Sequence, residues 1–80
     1  MNNNAAAELI LQRIKMLLQR LGDEAPVTTT TSLVTSGRLQ SIDIVELAVW
    51  LEQTFKIDFS EKGFNQYDFD SVENILQMVE

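Results

Sequence analysis

Three apolar stripes at helical spacing set the class of fold open to this chain. Ile10, Ile14, Leu17, Leu18 and Leu21 fall at i, i+4, i+7, i+8 and i+11, which is one face of a helix. Ile44, Leu47, Ala48, Leu51 and Phe55, at i, i+3, i+4, i+7 and i+11, make a second such face, and Val72, Ile75, Leu76 and Val79 make a third, shorter stripe. The expected fold is therefore all-α, with helices over about 5–21, 41–55 and 71–79. Gly22 stands where a helix-ending residue belongs.

The segments between the helices are less regular. Residues 23–40 form a long connection, in which Pro26 and the β-branched run of threonines at 28–31 disfavour helix. Val27, Leu33, Val34 and Leu39 are available to pin it to the core, with one helical turn expected near 32–36 and stopped by Gly37. Residues 57–59 read as a short extended piece. One irregular turn is expected within 60–67, anchored by Phe64. Asp70 and Glu73 have the spacing of a capping box for the last helix. The Glu52–Lys56 pair is spaced i, i+4 in the favourable order.

With 80 residues the chain makes one domain, expected over 1–80 with 1–4 outside the ordered part. It has no cysteine and no histidine. That removes disulfides, thiolate nucleophiles, the commonest general acid–base and the commonest metal ligands. A carboxylate enzyme needs a deep pocket that so short a chain can hardly build, so no catalytic activity and no metal are expected. The net charge of −6 is placed unevenly: residues 1–38 carry +1 and residues 39–80 carry −7. This argues against nucleic acid and anionic membranes as partners. Neither a signal-peptide pattern nor a membrane-length apolar run is present, and a cytoplasmic location is expected.

The second helix carries more apolar surface than its buried stripe requires. Ile42, Val45 and Val49 lie on another face, bordered by Asp43 and Glu46, and neither acid has a base three or four positions away. An apolar ridge flanked by unpaired acids suits a partner with an apolar groove and a basic rim. Contact of the two valines with neighbouring helices would explain the same pattern. Ser41 begins the helix as a fitting N-cap, with Asp43 suited to the positive end of the helix dipole.

The run Gly37-Arg38-Leu39-Gln40-Ser41-Ile42-Asp43-Ile44-Val45-Glu46-Leu47 resembles the attachment region of acyl carrier proteins. That family has a serine at the start of helix 2 within Gly-x-x-(Asp)-Ser-Leu-Asp-x-Val-Glu-Leu. Gly37, Ser41, Asp43, Val45, Glu46 and Leu47 match, and Ile42 replaces leucine. Leu51-Glu52-Gln53-Thr54-Phe55-Lys56-Ile57 is similar to the family's Leu-Glu-x-x-Phe-x-Ile segment. Phe69-Asp70-Ser71-Val72 is similar to the opening of the last helix in many carrier domains. Gln40 stands where the family usually has aspartate.

The resemblance implies a four-helix acyl-carrier-like bundle with a long loop between helices 1 and 2 and a short irregular helix 3. It implies a monomer that bears 4′-phosphopantetheine on Ser41 and carries an acyl or aminoacyl group as a thioester. The implied partners are a phosphopantetheinyl transferase, a loading enzyme and an acceptor synthase or transferase. They would dock on Ile42, Asp43, Val45, Glu46 and Val49. A chain without cysteine needs its thiol from such a group, and a helix N-terminus favours a phosphate by about 0.3–1 kcal/mol.

Two alternatives stand beside this reading. Asp70-Ser71-Val72 fits the Asp-Ser-aliphatic core better than Gln40-Ser41-Ile42, although Ser71 lacks the preceding Gly-x-Leu and the acid–apolar face that follows Ser41. The departure at Gln40 also fits an acidic interaction module that keeps the fold without being acylated. Phe59, Phe64, Tyr67 and Phe69 could wall an acyl cavity or belong to the core.

Overall fold

The structure, a computed structural model, describes residues 4–63 and 65–79. Helix α1 spans Asn4–Arg20, α2 Ser41–Phe55, α3 Phe59–Lys62 and α4 Val72–Val79, with one 3₁₀ turn at Gln66–Phe69. The expected all-α architecture is present, with its long first connection and a short third helix. Asn4 is already helical, so α1 begins one residue earlier than its apolar pattern suggests. Residues 1–3 and the expected anchor Phe64 lie outside the described residues.

The core is built from the stripes that the helix period picks out. Ile10, Ile14, Leu17 and Leu18 of α1, Ile44, Leu47, Ala48 and Leu51 of α2, and Val72 and Ile75 of α4 are buried together. Val27, Leu33 and Leu39 bring the long connection onto this core, and Val34 packs half-buried against it. Phe59 and Phe69 are buried and meet edge-on, with ring centroids 6.0 Å apart. They belong to the core, whereas Tyr67 is exposed.

Leu21, assigned to the buried stripe by spacing, is instead 52% exposed. The helix end explains this. Gly22 takes φ +81°, its N–H donates to the Gln19 carbonyl, and the Asp23 N–H donates to the Leu18 carbonyl at 2.8 Å. These two bonds close a left-handed helix end around Gly22 and turn the chain away before Leu21 can reach the core. At the end of α2 the left-handed position is occupied by Lys56, with φ 60° and ψ 44°. Lys56 is thus outside the regular helix, and the expected Glu52–Lys56 ion pair is not formed. Glu52 accepts the Phe59 N–H at 3.0 Å and so orients the start of α3. Asp58 caps α3 by accepting the Ser60 N–H.

The Asp70 carboxylate does not cap α4. Its Oδ1 accepts the backbone N–H groups of Leu33, Val34 and Thr35 at 3.2, 2.8 and 2.9 Å, and the hydroxyls of Ser32 and Thr35. It caps the turn of the long connection from more than thirty residues away. That turn closes with the Gly37 N–H on the Val34 carbonyl, at the expected Gly37. The cap of α4 is Ser71, whose Oγ accepts the Asn74 N–H at 3.1 Å. Two backbone bonds complete the seam between the connection and the start of α4: Leu33 N–H to the Asp70 carbonyl and Glu73 N–H to the Thr29 carbonyl.

Candidate functional site

Ser41 is the first residue of α2, one position inside the helix rather than its cap. Gln40 takes the cap position in extended backbone geometry, with φ −98° and ψ 172°. The Gln40 N–H donates to the Asp43 carboxylate at 2.9 Å, and its side-chain amide donates to the Gly37 carbonyl at 3.0 Å. This arrangement fixes the helix start without using the serine hydroxyl. Ser41 is exposed, and its hydroxyl has no hydrogen-bond partner among the described residues. The comparison with Ser71 separates the two candidate serines. Ser71 is buried, and its oxygen is engaged as the α4 cap.

The segment leading to Ser41 is clamped from behind. Arg38 donates through Nε and Nη2 to the two carboxylate oxygens of Asp23, at 2.8 and 3.2 Å. Its Nη2 also donates to the Ala25 carbonyl and its Nη1 to the Pro26 carbonyl. The guanidinium beside Asp23 holds that carboxyl below its ordinary range, with help from the Ala25 N–H. The start and the end of the long connection are thereby locked together. Spacing alone gave no sign of this, because fifteen residues separate the partners.

The side chains after Ser41 divide between surface and interior. Ile42 is 72% exposed, Val45 52% and Val49 45%. The ridge therefore faces outward instead of packing on neighbouring helices. Asp43 does not flank it: the residue is buried, with its carboxylate on the Gln40 N–H. Glu46 is exposed but not unpaired, since it forms an ion pair with Arg20 of α1. Arg13 lies over the Trp50 ring at 5.0 Å from its centroid. This contact and the Arg20–Glu46 pair set α1 and α2 side by side in opposite directions.

A shallow hollow of about 350 Å³ opens beside Ser41. Val34, Leu39 and Ile44 give it an apolar floor, and Thr35, Gly37, Gln40, Gln66 and Tyr67 line it with Ser41. None of these side chains is charged. No group of three or more acidic residues able to hold a metal occurs among the described residues. No described helix is long and apolar enough to cross a membrane.

The site suits a covalent phosphodiester in its donor set. A primary hydroxyl is exposed and unengaged. It lies in the first turn of a 15-residue helix, where backbone N–H groups lack intrahelical acceptors and the dipole favours an anion.

Comparison with known proteins agrees with this chemistry. Residues 8–79 match the family described as the phosphopantetheine attachment site. The chain is 31% identical over 75 residues to an acyl carrier protein of Coprothermobacter proteolyticus, covering 91% of this chain and 89% of that relative. No solved structure gives a significant match. The chain belongs to the acyl carrier protein family, whose members carry 4′-phosphopantetheine covalently.

Proposed function

We propose that the 4′-phosphopantetheine is joined to Ser41 Oγ, and that the chain presents an acyl or aminoacyl group to enzymes docking beside it. The observation that carries this reading is the contrast between two serines. Ser41 is exposed with an unengaged hydroxyl, while Ser71 is buried and caps α4. When bound, the group supplies a thiol on a long flexible arm, which a chain without cysteine lacks.

The protein's own part is to hold Ser41 outward. The Gln40–Asp43 bond fixes the helix start, and the Arg38 clamp fixes the approach to it. The exposed Ile42, Val45 and Val49 form the docking ridge, with the Arg20–Glu46 pair beside it. Asp43 serves that ridge indirectly, by setting where the helix begins. The transferase, the loading enzyme and the acceptor enzyme bring the catalytic groups, in the cytoplasm.

Intact mass after incubation with coenzyme A and a broad-specificity phosphopantetheinyl transferase tests the assignment. One phosphopantetheine should be gained by the unaltered chain and by Ser71→Ala, and none by Ser41→Ala. Modification that survives Ser41→Ala would remove Ser41 from the role. A chain that gains no mass with any transferase would instead favour the interaction module suggested by Gln40.

A further inference from the structure

The face around Ser41 presents little unpaired charge among the described residues, although the chain carries a net charge of −6. Between residues 34 and 51 only Arg38, Asp43 and Glu46 are charged. Arg38 is bonded to both oxygens of Asp23. Asp43 is buried on the Gln40 N–H. Glu46 is paired with Arg20. The hollow beside Ser41 is lined without a charged side chain. Asp68, in the 3₁₀ turn that supplies Gln66 and Tyr67, has its carboxylate on the Asn65 N–H and does not line the hollow.

We infer that the enzyme surface that fits this face is an apolar groove with a neutral, hydrogen-bonding rim, and that it does not read the chain by charge. The inference rests on Ser41 being the modified residue. Its physical content is complementarity. A groove closing over Ile42, Val45 and Val49 removes apolar area from water. The neutral amides of Gln40 and Gln66 and the phenol of Tyr67 can exchange water for rim donors and acceptors without desolvating an ion. A basic patch placed there would meet, among the described residues beside Ser41, only the Glu46 carboxylate, already paired with Arg20, and would lose hydration on docking. Gln40 fits the same logic, since a charge at that position would border the hollow. Of the two acids that α2 carries beside Ser41, Asp43 is turned inward and Glu46 is paired with Arg20, so neither stands free to draw a basic rim.

The test uses the full chain, coenzyme A and a broad-specificity phosphopantetheinyl transferase, with kcat/KM read from the rate of mass gain at Ser41. Salt is raised from about 0.1 to 1 M, over which the screening length falls from about 10 to 3 Å. The rate should change by less than about threefold over that range, because little unpaired charge is there to be screened. Val45→Ala, an exposed truncation whose folding is checked by circular dichroism, should lower kcat/KM by about tenfold. Gln40→Asp should not raise it. A rate that falls steeply with salt, or that Gln40→Asp raises several-fold, overturns the inference while leaving Ser41 as the modified residue. Loss of all modification would instead sink the Ser41 assignment on which it rests. A dimer in sedimentation that Val45→Asp dissolves would give the ridge to a second copy of the chain, and would overturn it too.

Discussion

Replacing Asp70 should loosen the molecule far more than its half-buried position suggests. In Asp70→Ala the backbone N–H groups of Val34 and Thr35 lose the acceptor they share, and the hydroxyls of Ser32 and Thr35 lose theirs. Leu33 keeps its bond to the residue-70 carbonyl. A hydrogen bond to a charged group contributes about 1.5–3 kcal/mol when net of water, and loss of a cap costs about 0.5–2 kcal/mol. Water can reach Thr35, which is exposed, so the bonds do not add in full. A loss of about 2–3 kcal/mol is expected for the substitution as a whole. Against a total of about 4–12 kcal/mol for a chain of this length, that is a large share. It corresponds to a fall in Tm of about 10–20 °C. Asp70→Asn keeps an oxygen acceptor and loses the charge, so it should cost roughly half as much.

Urea unfolding followed by Trp50 fluorescence and by far-ultraviolet circular dichroism measures the difference. The ring meets Arg13 and the edge of Phe55, so its emission reports the joining of α1 to α2. The pH dependence gives a second check. The Thr35 N–H, with those of Val34 and Leu33 and the Ser32 hydroxyl, holds the Asp70 carboxyl below its ordinary range against the opposing effect of burial. A carboxyl lowered in the folded state stabilises above its unfolded pKa of about 4, and that contribution is lost as pH falls through the folded value. The gap between the unaltered chain and Asp70→Ala should therefore be full at neutral pH and narrow below about pH 4. A substitution within about 0.5 kcal/mol of the unaltered chain would refute the clasp, since that is the ordinary scatter of surface changes. So would a gap that stays constant into acid.

Other substitutions probe the remaining joints. Arg38→Met should raise amide exchange at residues 23–25 and 27 and bring the Asp23 carboxyl up toward its ordinary range in an NMR titration, because the guanidinium is the main cause of its lowering. Gly22→Ala should cost about 1–2 kcal/mol in chemical unfolding through its positive φ alone, as an added Cβ there meets no atom within 4 Å. Lys56→Gly should move the other way by up to about 1 kcal/mol, by relieving the left-handed cap at the end of α2.

The parts of this molecule legible in its sequence are those governed by periodicity. Helix spacing located α2 to the residue and α1 to within one, and it named ten of the helical core positions. It also separated the Ile42–Val45–Val49 ridge from the buried face, which the structure leaves outward. The misses are of another kind. Leu21 obeyed the period and failed because the chain reverses at Gly22. Glu46 looked unpaired because its partner Arg20 is on a different helix. Asp70 offered a plausible local cap, yet its carboxylate serves a turn remote in sequence. One miss had a local signal. Gln40 and Asp43 are three apart at a helix start, which is the spacing of a capping box.

The differences at Asp43, Glu46 and Asp70 share a cause, which is that these carboxylates bind partners within the chain. All five aspartates of the chain accept backbone N–H groups: Asp23 from Ala25, Asp43 from Gln40, Asp58 from Ser60, Asp68 from Asn65, and Asp70 from Leu33, Val34 and Thr35. A short carboxylate side chain is well suited to this, since it reaches the main chain within a turn or across a tight seam. In a small domain with long connections, such bonds supply order that a limited core cannot. The charge of such a carboxylate remains, but an aspartate closing a turn presents it to its own backbone before any partner. Ser41 lies where this economy is most complete. The acid nearest to it points inward, and what remains outward is a hydroxyl, three aliphatic side chains and a Glu46 carboxylate tied to Arg20.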